Sequence, residues 1–98
     1  MAGQATIILP VIVLAEIIFA VERGRVRADV RKIIRRIRSL RYFRVVPLRL
    51  TTILRLQTLT EIPEMHDRII VAETLLRKGT LITRDATITT SGVVPTVW

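Results

Sequence analysis

The chain has 98 residues, half of them hydrophobic, and sixteen Lys or Arg residues against eight Asp or Glu give it a formal net charge of +8. A chain of this length can bury one small core, and this hydrophobic content excludes a disordered tail. Without cysteine and with a single histidine, disulfides, thiolate metal sites and histidine-rich metal sites are excluded. The positive charge predicts an anionic partner, because ten basic residues fall within residues 23–44 beside one acid, Asp29.

The opening segment, ILPVIVLAEIIFAVERG (residues 8–24), is almost entirely apolar. It predicts a strand over residues 5–9 and a buried helix over residues 10–23, with Pro10 in the first turn and Gly24 as the C-terminal stop. A membrane span is disfavoured because the apolar run is shorter than the roughly 20 residues that a bilayer requires and contains an acid. We therefore expect no membrane association and a cytoplasmic protein.

The next segment predicts an amphipathic helix over residues 26–40 and a strand over residues 42–48. Its apolar residues recur at helical spacing: Val26, Val30, Ile33, Ile34, Ile37 and Leu40. The opposite face carries a row of arginines: Arg27, Arg31, Arg35 and Arg38. A solvated face is one interpretation, but like charges at this spacing repel by about 0.2–0.5 kcal/mol per pair. Contact with RNA or with an acidic protein segment would relieve that repulsion.

The second half of the chain predicts a helix over residues 49–60 whose inward side carries Leu50, Ile53, Leu54 and Leu56. A second helix over residues 62–79 has Pro63 at its first turn, acids near its start and Gly79 past its end. A strand (80–83), a helical turn (85–91) and a last strand (94–98) follow. Alternating strands and helices predict an α/β class with a mostly parallel sheet in a single domain over residues 1–98.

Three acids occupy positions where acids are uncommon. Glu16 has apolar neighbours three and four residues away on both sides, so we expect it to face the interior. Asp67 is stacked on an apolar stripe of its helix. Asp85 follows the end of a strand, and α/β folds bind ligands at such ends. Each acid has a structural alternative. Glu16 could pair with an arginine, Asp67 could cap a helix or favour its dipole, and Asp85 could be an N-cap.

If the three carboxylates converge, their repulsion requires a bound cation, and oxygen ligands without Cys or His select Mg²⁺ or Mn²⁺. Such ions promote in-line attack on phosphodiesters. His66, next to Asp67, is interpreted as a helix-start residue rather than a general base.

LPVIVLAEI with Glu16, PEMHDRIIVAETLL with Asp67, and LITRDATI with Asp85 together resemble the PIN-domain ribonucleases, and VapC-like toxins of type II toxin–antitoxin systems among them. The resemblance implies a three-layer α/β/α fold and assigns Glu16, Asp67 and Asp85 as catalytic metal ligands for Mg²⁺ or Mn²⁺. It implies a supporting hydroxyl at Thr83, and it implies metal-dependent endonucleolytic hydrolysis of RNA.

The resemblance also implies the partners: an RNA substrate, a cognate antitoxin and, in a complete domain, a second copy of the chain. The chain departs from the family at its start, where the first strand, its metal-binding Asp and the following helix are missing. We therefore expect an N-terminally truncated PIN-like domain. A non-catalytic remnant that binds an antitoxin or a partner subunit is the alternative.

Overall fold

The computed structural model describes residues 5–98, and residue contacts divide the chain into two compact units, Met1–Pro47 and Leu48–Trp98. Each unit combines helices with a pair of parallel strands. The predicted mixed α/β class with parallel strands is therefore confirmed. Of the residues described, none belongs to a helix long and apolar enough to cross a bilayer.

The first unit contains strand β1 (Ile7–Pro10), helix α1 (Val11–Glu22), helix α2 (Val30–Ser39) and strand β2 (Phe43–Val46). β1 and β2 are parallel, from Ile7 opposite Phe43 to Pro10 opposite Val46. Parallel neighbours need a long crossover, which the two helices between the strands supply. The order strand, helix, helix, strand is the order predicted from the sequence.

Helix α1 ends as its glycine predicts. Gly24 has a φ of +72°, and its amide donates to the Val21 carbonyl while the Arg25 amide donates to that of Ala20. This pair of bonds satisfies the last carbonyls of the helix.

The prediction that α1 is buried is wrong, because all twelve of its residues, each of them described, keep some exposure to solvent. α1 contacts β1 and α2, and a two-stranded sheet can cover only one side of a helix. Phe19 is 60% exposed, and the Arg23 guanidinium lies over its ring at 5.9 Å.

Helix α2 begins later than predicted because Asp29 caps it. The Asp29 carboxylate accepts hydrogen bonds from the amides of Arg31, at 3.0 Å, and Lys32, at 3.4 Å. Val26 and Arg27 consequently precede the helix, and Val26 is exposed rather than on its apolar side. The remaining apolar positions of the predicted stripe are half-buried: Val30, Ile33, Ile34, Ile37 and Leu40.

The second unit contains helix α3 (Leu50–Arg55), a 3₁₀ turn (Leu56–Thr58), helix α4 (Met65–Leu76), strand β3 (Leu81–Ile82), helix α5 (Ala86–Ser91) and strand β4 (Thr96–Val97). β3 and β4 are parallel, with Leu81 opposite Thr96. The core of the unit is a cluster of six buried residues: Leu59, Ile62, Val71, Ala72, Ile88 and Val94.

Of the four residues predicted on the inward side of the helix in residues 49–60, Leu56 packs against the core as predicted, but the prediction is wrong for the other three. Leu50, Ile53 and Leu54 are exposed, Leu50 by 72%, whereas Thr52 is fully buried. The Thr52 hydroxyl donates a 2.8 Å hydrogen bond to the carboxylate of Glu73. That buried acceptor turns a polar residue of α3 inward, and the leucines on the other side of the helix therefore face solvent.

The ends of α4 shift by a few residues from their predicted places. Glu64 is the N-cap, so Pro63 precedes the helix rather than occupying its first turn. At the other end Lys78, not Gly79, adopts the left-handed conformation, with a φ of 53°. The Lys78 amide bonds the Leu75 carbonyl, and the Gly79 amide bonds that of Thr74.

Candidate acidic site and cationic helix

Asp67 lies in the first turn of α4, where its backbone amide donates to the Glu64 carboxylate at 2.8 Å. Its side chain is half-buried, which agrees with its predicted position above an apolar stripe. Burial raises the pKa of Asp67, and the negative charges of Glu64 and Asp85 raise that pKa further, against a smaller opposing effect of His66. Asp67 and Asp85 are therefore close enough to repel each other.

Asp85 is the N-cap of α5, as one of its two sequence interpretations predicted. One carboxylate oxygen, Oδ1, accepts a 2.9 Å hydrogen bond from the amide of Ile88. The residue follows β3 by three positions, so it lies beyond the carboxyl end of a parallel strand as predicted. The cap uses one oxygen and leaves the second, Oδ2, as the one that could meet a cation.

Thr83 positions the Asp85 backbone. Its hydroxyl oxygen accepts a 3.1 Å hydrogen bond from the Asp85 amide, and its own amide donates to the Val97 carbonyl of β4. The turn that presents Asp85 is thus fixed to the β3–β4 pair at one end and to α5 at the other.

Glu16 does not face the interior, and that prediction is wrong. The residue is exposed on α1 in the first unit, whereas Asp67 and Asp85 belong to the second unit. The apolar neighbours of Glu16 on α1 are themselves only partly covered. An apolar sequence context therefore does not bury this carboxylate.

Within residues 5–98, no three His, Asp or Glu side chains form a group that could hold a metal ion. Asp67 and Asp85 interact electrostatically, and the Glu64 carboxylate accepts a hydrogen bond from the Asp67 amide. His66 contacts Glu64, with its Nδ1 2.9 Å from the Glu64 carboxylate, as expected of a helix-start residue.

The predicted row of arginines is exposed, but one of its four members does not lie on the helix. Arg31, Arg35 and Arg38 lie on α2, and Arg27 precedes it. A shallow concavity on the outer side of the helix is lined by Lys32, Arg35, Arg36 and Ser39. Two of these cations, Lys32 and Arg36, were not among the residues predicted from the sequence.

A buried ionic cluster around Glu73 was also not predicted. The Glu73 side chain is 2% exposed and accepts hydrogen bonds from Thr52 at 2.8 Å and from Arg77 Nε at 2.5 Å, with Arg49 3.5 Å away. Burial alone would raise the pKa of Glu73, but these hydrogen bonds and the two arginine charges outweigh burial and lower the pKa. The sequence signal for this cluster was the four-residue spacing of Glu73 and Arg77 on one helix.

Comparisons of the chain with protein-family models, with curated proteins and with solved structures gave no match.

Proposed function

We propose that the chain is a PIN-type, metal-dependent endoribonuclease, the toxin partner of a toxin–antitoxin pair, with a PIN-like three-layer arrangement. One observation carries the proposal: burial and then the charges of Glu64 and Asp85 raise the pKa of Asp67, and Asp85 lies beyond the carboxyl end of a parallel strand. A divalent cation between two such carboxylates would replace repulsion by attraction.

The donor chemistry of the two residues fits Mg²⁺ or Mn²⁺, which bind carboxylate oxygens and keep several waters. Asp67 and Asp85 Oδ2 would hold the ion, and Thr83 keeps the Asp85 backbone in place. When bound, the ion would activate water and stabilise charge on an RNA phosphodiester. The assignment of Glu16 to the same set rests on the resemblance alone and stays a prediction, as does a cognate antitoxin.

Thermal unfolding in the presence of Mn²⁺ tests whether the pair holds a metal. We expect Mn²⁺ to raise the melting temperature of the wild-type chain, because an ion that binds only the folded state stabilises it. Asp67→Asn should raise the melting temperature without metal, since it removes the repulsion, and should abolish the response to Mn²⁺. No response of the wild-type chain would contradict the proposed metal site.

A non-catalytic role is the second candidate, and it is favoured by the absence of a three-membered acidic group within residues 5–98. Such a chain would bind an antitoxin or a partner subunit and cleave no RNA. RNA cleavage that requires Mn²⁺ and stops on addition of EDTA would reject this candidate.

A further inference from the structure

The stripe that lines the concavity on the exposed side of α2 consists of three cations and one hydroxyl. Lys32, Arg35, Arg36 and Ser39 follow one another at three- and four-residue spacing, opposite the half-buried isoleucines. The stripe rises about 10 Å along the helix. Arg31 and Arg38 are also exposed on α2 but do not line the concavity.

The cations of this stripe face solvent, and none of the described carboxylates pairs with them. Among residues 5–98, no carboxylate lies within ion-pair distance of Lys32, Arg35 or Arg36. Asp29, the nearest acid in sequence, uses its carboxylate for the helix cap. The unit Met1–Pro47 as a whole carries ten basic residues against three acidic ones.

The stripe also disfavours the helix that carries it. Lys32 repels Arg35 and Arg36 at three- and four-residue spacing, and it places a cation in the first turn, where the helix dipole favours an anion. Lys32 is the third residue after the Asp29 cap, the position at which a glutamate would complete a capping box. A sequence selected only for the stability of this helix would therefore have an acid in place of Lys32.

The chemistry of the stripe selects a phosphodiester backbone over a protein partner. Protein interfaces have an apolar or aromatic centre, and they are enriched in arginine but depleted of lysine. The centre of this stripe has neither apolar nor aromatic side chains, and the Ser39 hydroxyl donates its hydrogen to the Arg36 carbonyl at 2.7 Å. What remains is a continuous row of cations, which suits the regularly spaced charges of a nucleic acid backbone.

We infer that Lys32, Arg35 and Arg36 form a binding surface for the phosphate backbone of RNA, without base recognition. This surface shares Arg35 with the row of arginines predicted from the sequence and adds Lys32 and Arg36. The inference rests on the proposed function only in taking RNA as the partner, because the binding itself requires neither metal nor cleavage. Single-stranded DNA of the same sequence should bind nearly as tightly as RNA, since the contacts are to phosphates.

Titration of a short fluorescent single-stranded RNA with the full chain, in EDTA and over a range of salt concentrations, tests the surface. Joint replacement of Lys32, Arg35 and Arg36 by Gln should weaken binding about a hundredfold at 0.1 M salt and reduce the slope of log K against log salt by about 2. Unbound RNA at low salt with the wild-type chain would overturn the inference.

A matched variant removes three other exposed cations, with Arg25, Arg55 and Lys78 replaced by Gln. It carries the same net charge as the first variant, so the binding of both would fall equally if only total charge mattered. We expect a much smaller loss for the matched variant. Equal losses, or equally tight binding of polyglutamate, would overturn the assignment to phosphate.

Lys32→Glu separates binding from folding. It should raise the melting temperature by a few degrees, because it completes the capping box and reverses two repulsions, and it should weaken RNA binding at the same time. A fall in both quantities would mean that Lys32 is a structural residue.

Two outcomes distinguish this inference from the proposed ribonuclease. RNA binding in EDTA without cleavage in Mn²⁺ would support the binding surface and reject the ribonuclease. Cleavage in Mn²⁺ with unchanged RNA binding by the triple variant would support the ribonuclease and reject the binding surface.

Discussion

At the scale of single residues, Glu73 joins two helices of the second unit through one buried carboxylate. Thr52 contacts it from α3, Arg77 from the residue after α4, and Arg49 from the residue before α3. An ionised carboxylate in the interior is tolerated only when its hydrogen bonds and counter-charges are in place. The loss of Arg77, the better-buried cation, should therefore lower the free energy of unfolding more than the loss of Arg49, the more exposed one.

Replacement of Arg77 by Met tests that ranking. It keeps most of the packing volume but leaves the Glu73 carboxylate without its closest cation, so we expect the free energy of unfolding to fall by about 3 kcal/mol. Arg49→Met is the control: that side chain is about half-exposed and 3.5 Å from the carboxylate, and its loss should cost less than about 1 kcal/mol. Urea unfolding measures both. Equal costs would show that Arg77 does not hold the buried charge.

The lowered pKa of Glu73 makes a pH prediction. A carboxyl group whose pKa is lower in the folded state stabilises the fold above its ordinary pKa of 4.5, and that contribution is lost as the pH falls through the folded-state pKa. Glu73→Gln has no such group. The difference in free energy of unfolding between wild type and Glu73→Gln should therefore shrink as the pH falls below 4.5. A difference that stays constant in acid would contradict the ionised state of Glu73.

Glu16 and Glu73 show what a single residue's sequence context can predict. Both lie in apolar helical runs, yet Glu73 is buried and Glu16 is exposed. The arginine four residues after Glu73 could have indicated its burial. A buried carboxylate needs a cation nearby, and side chains four residues apart on a helix are neighbours. The other partner, Thr52, lies 21 residues away in sequence, and only the packing of α3 on α4 reveals it.

At the scale of elements, Asp85 combines a helix cap with a proposed metal ligand, and two substitutions separate these roles. Asn caps helices as well as Asp, so Asp85→Asn should leave the free energy of unfolding nearly unchanged without metal, whereas Asp85→Ala should lower it by about 1 kcal/mol. Both should abolish stabilisation by Mn²⁺. Thermal unfolding with and without Mn²⁺ measures these effects. A full Mn²⁺ response in Asp85→Asn would remove Asp85 from the metal site.

Helix and strand positions were predictable because their signals are local. Gly24 and Asp85 mark real helix ends through bonds to the nearest carbonyls and amides, and Asp29, although it was not predicted as a cap, acts through the same local bonds. The inward side of α3 was not predictable, because Thr52 is drawn in by an acceptor on another helix. Lys78 was missed as the left-handed residue because the glycine beside it satisfied the usual pattern.

At the scale of the whole molecule, the sequence predicts the alternation of strands and helices but not the number of sheets. The described strands pair as β1 with β2 and β3 with β4, one parallel pair in each compact unit. Strand pairing depends on contacts distant in sequence, which periodicity does not encode. The distribution of charge is readable directly, because ten of the sixteen basic residues precede Leu48.

We propose that this chain hydrolyses RNA with a divalent ion held by Asp67 and Asp85. Incubation of the purified chain with labelled RNA in Mn²⁺, with EDTA and with Asp67→Asn as matched controls, tests it most directly. We predict cleavage in Mn²⁺ that is lost both in EDTA and in the Asp67→Asn variant. Intact RNA in Mn²⁺, or cleavage that persists in the Asp67→Asn variant, would contradict the claim.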